Sequence, residues 1–376
     1  MERKNRAQFI DMLKGLALIV MIEVHVINIF LSSELKADWW FSYLNFINGL
    51  VAPAFTFSSG MVFVLSLQKG LDELRKFGMK FWNKLGRLLL VFLAGYSIHM
   101  SYLSLRKISN PKYPHMLQEF LKVDILQCIA VGLILLFMLR IIIKSDKGFY
   151  VTVLLLDIFV LAFSPYAWKT DFAEFIPLGI ANYFNRIHGS LFPLFPWLAF
   201  ILTGALLGKL YVELKGKIGE EKFSKYLIYY GAGFFIGTVL LLNLLLPDSI
   251  VEIKPNPLFF LQRVGVLIML LGIFWFYINR FENYNSFILD VSRESLMVYW
   301  LHLKILYKKF WDGKSIINFL GTPLSLLEIV LITVLLIVIM ILLAKLWGWL
   351  KVKYPVIISR GVLIIVSVCV IIFFLA

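Results

Sequence analysis

Three ionisable side chains stand where a lipid-solvated helix should carry none. The apolar run at about 13–31 contains Lys14, Glu23 and His25. A charge at the centre of a membrane helix costs about 2.5–3.5 kcal/mol on insertion scales, so each of these residues marks a candidate site. At about 100° per residue Glu23 and His25 diverge by about 200°, so they serve different helix faces, whereas Asn28 shares the His25 face. Lys14 precedes His25 by eleven residues, about 16 Å along a helix. That separation suits a ligand with anionic groups at one interface and a reactive end inside the bundle. Histidine is the natural acid–base group here, because its reference pKa of about 6.5 lies near working pH. The plainer alternative is a snorkelling lysine and a hydrogen-bonded core histidine.

A second constellation lies in Val291-Ser-Arg-Glu-Ser-Leu-Met-Val-Tyr-Trp-Leu-His302. Ser292, Ser295, Tyr299 and His302 follow three- and four-residue steps and so form one polar stripe on a helix. Such a stripe faces protein or a wet cavity, either as interhelical hydrogen bonding or as chemistry. His302 is therefore a second catalytic candidate. Asp11 and Asp124 are carboxylates that could orient His25 if the fold brings them together. Asp124, Gln127 and Arg263 fall near helix ends, where they could pair, and Asp157 sits deeper without a local companion. Gly-rich phosphate loops, His-x-x-x-His zinc patterns and Gly-x-Ser-x-Gly elbows are all missing from the sequence, and no metal is expected.

The elements that must position these residues are membrane helices. With 60% hydrophobic and 16% charged residues over 376, the chain has too little polar surface to cover a soluble globule. Apolar runs recur at about 13–31, 44–67, 85–103, 122–143, 149–166, 191–211, 226–247, 258–279, 289–307, 323–347 and 356–376. Each matches the roughly 20 helical residues that cross a bilayer. The expected fold is an all-α polytopic bundle of about eleven transmembrane helices, because backbone satisfaction in lipid leaves helices once a barrel's alternation is absent. The opening Met1-Glu-Arg-Lys-Asn-Arg imitates a signal peptide, but Asp11, Lys14, Glu23 and His25 do not suit a cleavable apolar core. The first run is read as a retained helix. Counting alternate loops puts about two thirds of the 37 basic residues on the side of the N-terminus, which makes that side cytoplasmic. The same rule accounts for the net charge of +14 without nucleic acid. Cys128 and Cys369 lie in apolar runs and read as packing residues. No repeat or soluble domain interrupts the chain, so a single transmembrane domain over 1–376 is expected.

The residues also resemble a known family. Asp11-Met-Leu-Lys14-Gly followed by His25 resembles the first helix of the transmembrane acyltransferase superfamily, whose hallmark is a basic residue, ten positions and a histidine. Phe55-Thr-Phe-Ser-Ser-Gly60 is similar to its Phe-x-x-x-Ser-Gly, and Val123-Asp-Ile-Leu-Gln127 to its Asp/Gly-x-Leu-Gln. Phe192-Pro-Leu-Phe-Pro-Trp197 with Gly204 and Gly208 resembles bacterial members of the heparan-α-glucosaminide N-acetyltransferase-like branch. Ser295 to His302 resembles the late Ser-x-x-x-Tyr-x-x-His helix of the related type-three acyltransferases. In two places the chain departs from the pattern. Lys14 replaces the commoner Arg, keeping the charge and losing the bidentate fork. In the animal enzymes the position matching His25 is Asn, and their histidine lies further along, where this chain has Lys36 and Asp38.

The resemblance implies a multi-pass protein of the plasma membrane that uses acetyl-CoA or another acyl-CoA as co-substrate. It implies phosphate contacts at Lys14 and at basic helix ends such as Lys84, Arg87 and Arg293, and a thioester brought to His25. The acceptor, a glycan or amino sugar, would come from the outer side, where Trp39, Trp40, Trp168, Tyr183 and His188 offer flat faces and polar tips; simple interfacial anchoring is the alternative for these aromatics. Direct transfer and a transient acyl-histidine are both open, and so is a homo-oligomer. The rival function is a transporter or flippase for a lipid-linked glycan, which would show paired halves with broken helices; none are visible in the sequence.

Overall fold

Runs of apolar residues with internally satisfied backbones fold as helices, and a computed structural model shows this for residues 7–67, 71–281, 286–308 and 315–376. Residues 1–6, 68–70, 282–285 and 309–314 lie outside the described residues. In chain order the helices used below are α1 (Gln8–Phe30), α2 (Trp39–Asn48), α3 (Val51–Ser66), α4 (Met79–His99), α5 (Ile125–Ile142), α6 (Asp146–Lys169), α7 (Leu194–Ile218), α8 (Glu220–Leu240), α9 (Pro257–Asn279), α10 (Phe287–Arg293), α11 (Ser295–Tyr307), α12 (Leu326–Lys353) and α13 (Pro355–Leu375). No strand occurs among the described residues.

Among the described residues, nine helical stretches are long and apolar enough to cross a membrane, with α2 and α3 counting as one. The chain is a polytopic helical membrane protein. The other two expected spans are also helical, but of a different character. Helix α4 has 21 residues, and Lys80, Lys84 and Arg87 in its first half reduce its apolarity. The expected continuous span 289–307 is broken: α10 ends at Arg293 and α11 starts at Ser295, with Glu294 between them at φ −101° and ψ 25°. At the break Glu294 is buried, and its Oε2 takes the Lys351 ammonium of α12 at 2.6 Å.

Caps set several helix starts. Asp124 opens α5 in a reciprocal capping box with Gln127, and Ser325 opens α12 in another with Glu328; each box satisfies amide donors that the first turn leaves open. Arg263, expected near Asp124, instead donates to the Phe259 carbonyl of its own helix.

The chain forms two compact units, one of Met1–Phe55 with Ile278–Ala376 and one of Thr56–Tyr277. In the first, α1 packs on α10, α11 and α12, and α13 packs on α12. Helix α13 has no buried residue, so its apolar side chains are lipid-facing, as expected where hydrocarbon is the solvent. In the second unit, α6 packs on α7, α4 on α5, and α7 also on α5 and α8. Helices α3 and α7 approach backbone to backbone. A Cβ on Gly60 would stand 1.9 Å from the Ile201 carbonyl oxygen, and one on Gly204 would stand 2.0 Å from that of Phe57. Two segments distant in the sequence thus meet through glycines, which is how membrane helices gain van der Waals contact when lipid competes for apolar surface.

Candidate functional site

The first unit gathers its polar residues along one seam. Helices α1 and α11 run in the same direction: Asp11 near the start of α1 accepts a hydrogen bond from Ser292 of α10 at 3.4 Å, and His25 near its end meets Tyr307 of α11 at 3.2 Å. Lys14 and His25 share one helix, as the spacing predicts. From Lys14 a row of rings leads along the seam. The Lys14 ammonium stands 5.4 Å from the Phe55 ring centroid, and Phe55 stacks on Tyr299 at 6.2 Å. Tyr299 meets His302 edge-on at 5.6 Å, and His302 lies 5.3 Å from His25. The seam therefore joins a cation at one end to two imidazoles at the other.

The two histidines differ in setting. His302 is fully buried, and its Nδ1–H donates to the Val298 carbonyl at 2.8 Å; that bond fixes the tautomer and leaves Nε2 as the basic nitrogen. His25 is half-buried, with Nδ1 on the Tyr307 hydroxyl. Glu23 faces elsewhere, as its angular offset requires: its carboxyl is hydrogen-bonded by Asn48 of α2, and its Oε1 is buried with no hydrogen-bond partner among the described residues. The stripe of Ser292, Ser295, Tyr299 and His302 is buried throughout, although the break at Glu294 puts Ser292 on a different helix. Arg293 closes α10 and donates to Asp290 at 3.1 Å.

Neither carboxylate suggested for orienting His25 is seen to do so. Asp11 sits on the same unbroken helix fourteen residues earlier, about 21 Å away along the axis, so it cannot touch that ring. Asp124 belongs to the second unit, where its Oδ1 caps the Ile125 amide at 2.6 Å and its Oδ2 meets His99 Nε2 at 3.1 Å. His99 is the partner that sequence reading passed over. It lies at the end of α4, 25 residues before Asp124, and no periodicity links the two.

In the second unit, Lys84 donates to Ser66 Oγ and lies 4.8 Å from the Phe63 ring centroid, with Arg87 exposed one turn further on. Asp157, without a local companion, is met from another helix by Thr203, which donates to its Oδ2 at 2.7 Å. His188 Nε2 contacts both Asp171 oxygens, at 2.8 and 3.0 Å. That hydrogen bond, seconded by the Ala173 amide, holds the Asp171 carboxyl below the usual carboxylate range. A lowered folded-state pKa contributes stability above the unfolded value, and the contribution is lost as pH falls through the folded one. Protection of the amides across the segment 171–188, measured against the intrinsic exchange rate at each pH, is therefore expected to fall as pH drops below about 4. Unchanged protection over that range would show that the pair contributes nothing. In the first unit, Trp39 is 78% exposed, and Trp40 Nε1 donates to Asp38 at 3.3 Å.

The first unit of this helical membrane protein thus sets a half-buried imidazole and a fully buried one beside tyrosines, with an internal lysine on the same helix as His25. The family model described as heparan-alpha-glucosaminide N-acetyltransferase, catalytic, matches residues 6–232. That is more than half of the chain, and the protein belongs to this family, which is of membrane acetyltransferase type. The matched region contains α1 with Lys14 and His25; α10 and α11, which bring Ser292, His302 and Tyr307 to α1, lie beyond it. No curated protein matches the chain.

Proposed function

We propose that this protein moves an acyl group, acetyl in the first instance, from cytoplasmic acyl-CoA to a hydroxyl or amine of an envelope glycan on the outer side of the plasma membrane, acting as a single transmembrane acyltransferase domain. The observation that supports this most directly is the seam from Lys14 to the His25–His302 pair, a cation and two imidazoles joined by aromatic rings within one helix group. Lys14, with Lys84, Arg87 and Arg293 as further cations, serves the coenzyme phosphates. His25 removes the proton from the acceptor O–H or N–H as the new bond to the acyl carbon forms. The C–S bond then breaks, and the imidazolium returns the proton to the leaving thiolate, so charge and atoms balance. Trp39, Trp40 and His188 serve the acceptor.

The test is saturable acyl-CoA binding and turnover by the purified protein. A charge-assisted phosphate contact is worth about 1.5–3 kcal/mol, so Lys14→Ala is expected to weaken acetyl-CoA binding about ten- to hundredfold while leaving acceptor preference intact. Trp39→Ala and His188→Ala should change acceptor preference and leave coenzyme affinity alone. Normal coenzyme binding by Lys14→Ala would remove Lys14 from the phosphate role.

A further inference from the structure

We infer that Tyr307 is the positioning residue of His25: His25 Nδ1–H donates to the Tyr307 hydroxyl oxygen, which leaves Nε2 as the basic nitrogen. This rests on the reading that His25 is the acid–base group. The contact is 3.2 Å, with the two rings edge-on at 89° and centroids 5.9 Å apart, so the hydroxyl meets the ring edge where the nitrogen lies. Residue 307 falls outside the region matched by the family model, and no motif in the sequence selects it.

The chemistry of the site calls for an orienting group. A histidine can remove a proton only through a nitrogen with a free lone pair, and the hydrogen bond made by the other nitrogen decides which one that is. Asp11 is out of reach on its own helix, and Asp124 holds His99. His302, the nearest ring, has its Nδ1–H committed to Val298. Tyr307 closes α11, and an oxygen lone pair of its hydroxyl receives the imidazole N–H. During transfer, Nε2 takes the acceptor's proton as the acyl–acceptor bond forms and returns it to the thiolate as the C–S bond breaks. Nδ1–H stays on Tyr307 throughout.

The experiment pairs kinetics with a tautomer reading on the full-length protein in detergent or nanodiscs, using acetyl-CoA as donor and glucosamine as acceptor probe. In the [15N]histidine spectrum of the wild type, the signal absent from His25→Gln should be the Nδ1–H tautomer, the less common form of a free imidazole. Tyr307→Phe should move that signal to Nε2–H. It should also lower kcat about tenfold, in keeping with the loss of one hydrogen bond, and leave the KM for acetyl-CoA within about twofold. A wild-type His25 in the Nε2–H form overturns the inference without any Tyr307 variant needing to fold. An unchanged kcat in Tyr307→Phe overturns it as well, as does a loss of kcat with the tautomer unmoved. Should His25→Gln transfer acetyl normally, the acid–base reading of His25 falls, and the wild-type tautomer still reports on the pairing.

Discussion

His25→Ala is expected to reduce acyl transfer by about 10²–10⁴, the usual contribution of a positioned base, while acetyl-CoA binding and helix assembly persist. The ring is half-buried at the end of the seam, where it hydrogen-bonds the Tyr307 hydroxyl and packs against the rings of His302 and Tyr307. Removing it deletes a reacting group and leaves the packed faces of α1 on α10, α11 and α12 in place. His302 supplies the control. Its ring is fully buried and tied to its own helix, so His302→Ala should lower thermal stability as well as rate, whereas His25→Ala should lower rate alone. Steady-state kinetics and melting curves of both variants separate the two roles. Near-normal turnover in His25→Ala would transfer the base assignment to His302.

The largest structural effect is expected at the glycine contacts of α3 and α7. Gly60→Val or Gly204→Val would place carbon within about 2 Å of a backbone carbonyl oxygen, and unlike a flexible side chain, a helix backbone cannot swing aside. Overpacking of this kind costs about 1–3 kcal/mol and occasionally more, so both variants should lose folded yield and melt below the wild type. Gly86→Ala, in α4, is the matched control, because a Cβ there meets nothing within 4 Å and alanine favours the helix. Equal melting of Gly204→Val and Gly86→Ala would mean that α3 and α7 do not meet as described.

The sequence by itself determined the class of molecule and the first half of its site. Helix length and apolarity are local properties, so the positions of α1, α5 to α9, α12 and α13 could be read from composition, and the offset of Glu23 from His25 followed from helical pitch. Local chemistry also placed Asp124 and Gln127 near a helix end, where they could pair, and Lys14 and His25 on one helix. The tertiary structure decided what local periodicity cannot carry. It broke the 289–307 run at Glu294, whose carboxylate pairs with Lys351 of α12, far along the chain. It paired Asp124 with His99, kept Asp11 a helix-length from His25, and supplied Tyr307 to a ring 282 positions earlier. It also gave the glycines at 60 and 204 their reason, since a missing Cβ is informative only once the opposing carbonyl is known. Contacts between residues this far apart depend on how helices cross, and crossing is set by the complementarity of two whole faces, which no single stretch of sequence contains.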